Sequence, residues 1–183
     1  MSKIVQSLGV AAVLASAGVG AASAQNFVLT SPEIAEGKML SAAQVANVFG
    51  CKGGNSSPEL SWSGAPAEAK SFAVTAFDPD APTGSGFWHW SIFNIPASVT
   101  KLAAGLKADN GPAGSVQIRN DYGFRGFGGA CPPPGAPHRY IFTVHAIKVE
   151  KFDLNANTTP AVVGFYTLAN SIGKASITAI YGQ

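Results

Sequence analysis

The chain has 183 residues, of which 46% are hydrophobic, and its 12 Lys+Arg against 10 Asp+Glu leave a formal charge of only +2. That composition suits a globular protein with a real core, and it lacks the basic field that nucleic acid or an anionic membrane surface requires. Nucleic acid is therefore not an expected partner.

At the N-terminus, Lys3 precedes an Ala/Val/Leu/Gly-rich run that ends in Ala22-Ser23-Ala24, a small-residue cleavage signal. Residues 1–24 read as a secretory signal peptide, with the mature chain starting near Gln25. The apolar stretch from Leu8 to Ala24 is shorter than the roughly 20 residues a spanning helix needs, and no later segment is comparably apolar. The remainder, 25–183, is long enough for one domain, and loss of Lys3 leaves it nearly neutral. A periplasmic or secreted location is expected. Two cysteines, Cys51 and Cys131, occur in this exported chain, where an oxidising compartment permits a disulfide. A pair of free thiols is the alternative. A metal site is not expected, because no CxxC spacing occurs and the chain has only three histidines.

The 21 Gly and 12 Pro keep regular elements short, which favours an all-β domain over a helical bundle. Phe27–Thr30 reads as a first strand, ended by Ser31-Pro32. Ser71–Phe77 is β-prone and is stopped by Asp78-Pro79, since proline cannot donate to a ladder. Trp88–Ile95 is a central strand ended by Pro96, and His138–Val149 is the longest β-like run. Thr159 and Pro160 mark a helix start, as N-cap and first helical residue, for a helix reaching Asn170. Ala175–Tyr181 closes the chain as a short strand.

Strand alternation puts His138 and Tyr140 on one face with Arg139 and Ile141 on the other, and turns His89 away from Trp88 and Trp90. Asp78 stands at a strand end held by a proline turn, so two imidazoles, a phenol and a carboxylate can converge at one end of a sandwich. The segment Gly126–Gly135 carries glycines able to expose backbone N–H groups and three consecutive prolines, Pro132 to Pro134, that stiffen it. Together these predict a phosphate-sized anion site. Simpler roles compete for single residues: Asp78 and Asp80 as turn formers, Trp88 and Trp90 as core packing, His145 as a structural histidine. No cofactor and no enzymatic activity are expected, because no GxSxG elbow occurs and Cys131 precedes a proline run. A protein-interaction role, through loops such as Lys107–Ser115, and a hydrolase built on a His/Asp pair are the alternatives.

Several motifs, taken together, resemble the phosphatidylethanolamine-binding protein family, also called the Raf kinase inhibitor-like proteins, in its bacterial branch. They are Phe49-Gly50-Cys51 with Asn55-Ser56-Ser57-Pro58, Asp78 to Pro82, His89-Trp90 with Asn94-Ile95-Pro96, Asn120-Asp121-Tyr122-Gly123, and Cys131 to Tyr140. The resemblance implies a mainly β, single-domain, antiparallel Greek-key sandwich with short peripheral helices and a surface pocket. It also implies a ligand-binding set of Asp78, Pro82, His89, Cys131, Pro132, His138 and Tyr140, used to hold a phosphate-bearing or other small anionic headgroup. Some eukaryotic members modulate kinases or proteases by direct contact. The short stretch Thr83-Gly84-Ser85-Gly86-Phe87 departs from the family pattern and alters the pocket rim. Mass spectrometry of the exported protein is expected to find Gln25 as its first residue; an intact Met1 form in the exported fraction contradicts the cleavage reading.

Overall fold

A computed structural model describes residues 26–183; the leader expected at 1–24 lies outside the described residues. Two antiparallel sheets face each other. The larger has five strands in the order β6 (Val116–Gln117), β4 (Phe87–Pro96), β3 (Ser71–Asp78), β7 (His138–Ile147) and β8 (Ser171–Tyr181). The smaller places β2 (Leu60–Ser63) between β1 (Val28–Thr30) and β5 (Lys101–Leu102). The mainly β, single-domain expectation holds, with one α-helix among the described residues, α1 (Pro160–Asn170), at the periphery.

Alternation along the long strands sorts the side chains. Val74, Ala76, Tyr140, Phe142 and Val144 face the smaller sheet and join Leu29, Leu60, Trp62 and Leu102 in the main core. The opposite face carries Ala73, Phe93 and Ile147, covered by Phe152 and by Val163 of α1. Within the main core, the fully buried Trp90 indole donates to Gln117 Oε1 at 2.7 Å, so its one polar atom is satisfied.

Helix α1 starts where Thr159-Pro160 predicts. Thr159 has extended backbone angles but its side chain makes no capping bond, so Pro160 at the first position and the packing of Val163 set this end. The terminal strand begins at Ser171 rather than Ala175, because β8 continues directly from the helix and pairs along the whole of β7. β7 in turn ends at Ile147, two residues short of the expected Val149. Three short strands, β2, β5 and β6, carry no local signal of their own; partners define them.

Cys51 and Cys131 form a disulfide, with Cα atoms 6.0 Å apart, across a sequence separation of 80. It joins the loop after Val48 to the loop before β7. Closing so long a loop stabilises by about 4–5 kcal/mol in the chain-entropy account, an upper figure because strain is neglected.

His145 lies on the helix-covered face, 6% exposed, with Nδ1 3.5 Å from Ser171 Oγ. Burial, helped by Lys174, holds its pKa down to about 4. A folded-state value below that of the unfolded chain means the unfolded state takes up the proton first as pH falls. This histidine's contribution is therefore complete above about pH 6.5 and is lost as pH falls toward 4, on the order of 3 kcal/mol.

Two outcomes are expected from denaturant titrations. Reduction, or the Cys51→Ala/Cys131→Ala pair, should lower unfolding free energy by about 2–5 kcal/mol. In the unreduced protein, stability should fall between about pH 6.5 and 4, and a folded His145→Gln variant should show a shallower fall.

Candidate functional site

The register of β3 against β7 brings the chemistry together. Phe77 pairs with Ile141, so the next residue, Asp78, reaches the start of β7. There its Oδ2 accepts from His138 Nδ1 at 2.7 Å, while its Oδ1 accepts from the Asp80 N–H at 2.8 Å. Asp78 is thus both the turn former and the partner of a histidine. A carboxylate that is only 2% exposed needs both bonds.

His89 arrives by a different device. On β4, Trp90 pairs with Ala76 and Trp88 with Phe77, leaving His89 as the extra residue of a β-bulge. The expectation that His89 turns away from both tryptophans is corrected here. Trp90 enters the main core, Trp88 packs on Phe77 with ring centroids 4.5 Å apart, and the bulge re-aims His89 toward Tyr140, 5.1 Å from ring to ring. Its Nδ1 is 2.8 Å from the Gly128 carbonyl. A carbonyl only accepts, so Nδ1 carries the hydrogen. Burial holds the His89 pKa below its ordinary value, against the opposing pulls of the Gly128 carbonyl and Asp78.

All seven predicted residues, Asp78, Pro82, His89, Cys131, Pro132, His138 and Tyr140, line one cavity of about 160 Å³. Tyr140 is 2% exposed and its hydroxyl has no hydrogen-bond partner. Burial raises the pKa of this phenol, so it is neutral and able to donate.

The loop before β7 does not act as expected. The N–H groups of Gly128, Gly129 and Ala130 donate to the His89 carbonyl, Asn55 Oδ1 and the Gln44 carbonyl. Pro132 to Pro134 have none to offer. The loop therefore shapes the cavity without presenting a cradle of amides. Gly128 is required by close approach: a Cβ there would lie 2.5 Å from the Tyr122 ring.

An aromatic wall was not read from the sequence as part of the site. Phe49, Phe87 and Tyr122 line the same cavity, with Tyr122 packed edge-on to Phe87 at 4.7 Å and donating from its hydroxyl to the Gly129 carbonyl at 2.9 Å. Burial pushes the Tyr122 pKa up to about 12. The signal available was Asn120-Asp121-Tyr122-Gly123, a tyrosine set among turn residues. Arg139 stays outside, as alternation predicts. It forms a two-pronged ion pair with Asp80 at 2.9 and 2.7 Å, which holds the Asp80 carboxyl down to about 2. This pair lines an adjoining hollow of about 600 Å³ walled by Pro133, Pro134 and Pro137, which shares Pro82, Pro133 and His138 with the site cavity. His145 lies outside the site cavity, on the far face of the sheet.

The sequence profile of the family "Phosphatidylethanolamine-binding protein" matches residues 30–182. YbcL of Escherichia coli is 52% identical over 164 residues, covering 87% of this chain and 90% of the relative. YbhB of the same organism is 45% identical, covering 84% of this chain and 98% of the relative. The crystal structure of YbcL, described as a member of the mammalian PEBP family, superposes with a TM-score of 0.84 over 86% of this chain and 98% of its own. CT736 of Chlamydia trachomatis, 29% identical, superposes with a TM-score of 0.73 over 87% of this chain and 99% of its own. The chain belongs to the phosphatidylethanolamine-binding protein family.

A buried hydroxyl without a partner carries an uncompensated desolvation cost. Tyr140→Phe is therefore expected to leave the unfolding free energy unchanged or to raise it by up to about 1 kcal/mol. Denaturant titration of the variant beside the wild-type protein checks this.

Proposed function

We propose that this protein is an exported, non-enzymatic binding protein whose cavity holds a phosphate-bearing or other small anionic headgroup. The observation that carries the reading is the convergence of Asp78, His89, His138 and the unpartnered Tyr140 hydroxyl on one cavity of about 160 Å³. Its volume lies below the roughly 300 Å³ at which drug-sized sites begin, which favours a headgroup over a large ligand. The phosphatidylethanolamine-binding name of the family supports the same ligand class. The disulfide supports an oxidising compartment. No helix among the described residues is long and apolar enough to cross a membrane.

Binding is favoured over turnover by the lack of a nucleophile. Cys131 is in a disulfide, and no serine or threonine hydroxyl is hydrogen-bonded to His89 or His138 among the described residues. The buried Asp78–His138 pair resembles a base with its orienting carboxylate, and it is the one feature that favours hydrolysis as a second reading.

A thermal-shift panel of phosphoethanolamine, inorganic phosphate and glycerophosphoethanolamine tests the proposal. A ligand at 100 times its Kd should add about 2.7 kcal/mol, or roughly 5–10 °C for a domain of this size. Folded His138→Ala and His89→Ala variants should lose the shift. No shift with any of the three defeats the binding reading, and turnover of phosphoesters abolished by His89→Ala puts the hydrolase first.

A further inference from the structure

We infer that the molecule has a second binding site, on the face of the five-stranded sheet turned away from the main core: the groove between that face and helix α1 takes an uncharged aromatic alcohol. The ring lies against Trp88, and the hydroxyl donates to His145. The groove has a volume of about 360 Å³, within the range of small-molecule sites, and shares no lining residue with the cavity around Asp78.

The groove's walls are apolar and carry no charge. Trp88, Phe165 and Leu168 line it, the last two being 70% and 69% exposed. Helix α1 contains no charged residue, and Lys174, which pairs with His145 across β7 and β8, does not line the groove. An uncharged occupant is therefore the complementary one. Gly164 keeps the space open. Its backbone is helical, and a Cβ there would meet only the Trp88 ring, at 3.6 Å, an ordinary contact. Nothing in the fold thus forbids alanine at this position, and alanine in mid-helix is the more stable choice. The helix forgoes that stability and leaves an edge of the Trp88 indole uncovered.

Hydrogen bonding then asks for a donor. Ser171 Oγ gives its one hydrogen to the Gly173 carbonyl at 3.1 Å, so toward His145 Nδ1, 3.5 Å away, it can only accept. Nδ1 therefore carries the ring hydrogen, and Nε2 of the neutral ring is an acceptor. Burial keeps the ring neutral. No hydrogen bond among the described residues uses Nε2, and unlike the Tyr140 hydroxyl this nitrogen is not sealed off. An imidazole that is 6% exposed and has an unused acceptor in an apolar wall is matched by a donor from outside the chain. The Thr75 hydroxyl, also in the wall, turns to either role, so the fixed requirement comes from His145. A hydroxyl on an aromatic ring supplies that donor while the ring covers Trp88.

Nuclear magnetic resonance titration of the unreduced wild-type protein near neutral pH tests this with three ligands. They are 2-naphthol, 2-methoxynaphthalene, which keeps the rings and loses the donor, and 2-naphthoate, which adds a charge. The alcohol should bind roughly tenfold more tightly than either of the others, with proton–proton contacts from its rings to Trp88 and Phe165. His145→Leu should erase the preference for the alcohol over its methyl ether; if that variant does not fold, the wild-type contacts and affinities decide. Failure of 2-naphthol to bind overturns the inference. So do contacts to Phe87 or Tyr122 alone, which place the ligand in the anion cavity, and a methyl ether bound as tightly as the alcohol. Tighter binding of the naphthoate assigns recognition to Lys174 and overturns it too. Sedimentation of the same samples covers the remaining occupant: a dimer that excludes 2-naphthol gives the groove to a second copy of the chain, against the inference. None of these readouts needs the anion cavity to be occupied, so failure here and failure of the headgroup reading are distinguishable.

Discussion

A carboxylate removed from water is the constraint on which the site rests. Asp78 is 2% exposed, and its two oxygens are held by His138 and by the Asp80 amide. The first bond requires β3 and β7 to be in register, and the second requires the Pro79 turn. The same turn carries Asp80 out to Arg139, which anchors the start of β7 from its exposed side. Removing either partner of Asp78 leaves a buried charge under-solvated, so sheet pairing and site geometry are energetically one thing.

The opposite wall is built on different principles. Here a bulge in β4 turns His89 inward, and the loop after Tyr122 meets it with a carbonyl rather than an amide. Loop amides are tied to Gln44, Asn55 and His89, and Cys131 is bonded to Cys51. Such a wall is stiff because its polar groups already have partners. Selectivity then depends on the few atoms left without one.

Much of this was legible in the sequence. Ser71–Phe77, Trp88–Ile95 and the run from His138 are β-branched or aromatic segments bounded by proline or glycine, and they appear as β3, β4 and β7. The seven site residues could be read because two motifs with unusual punctuation surround them. The bulge could not, because counting by twos through Trp88-His89-Trp90 assumes an unbroken ladder. The amide cradle was misread for a related reason: glycine and proline give a loop its shape, but its N–H partners, such as Asn55 74 residues away from Gly129, are invisible locally. Phe49 stands in one of the family-like motifs but could not be assigned to the cavity from sequence, because a side chain 81% exposed at a positive φ of 52° fits no strand or helix pattern.

The sheet order places β4 and β7 on either side of β3, although 41 residues of chain separate the end of one from the start of the other. No contiguous stretch of polypeptide contains enough of the cavity to grip anything. Recognition therefore emerges only when the non-local pairings have closed, late in a folding reaction that such topology slows. Nascent or fragmentary chains lack the cavity, and an assembled cavity certifies a finished fold.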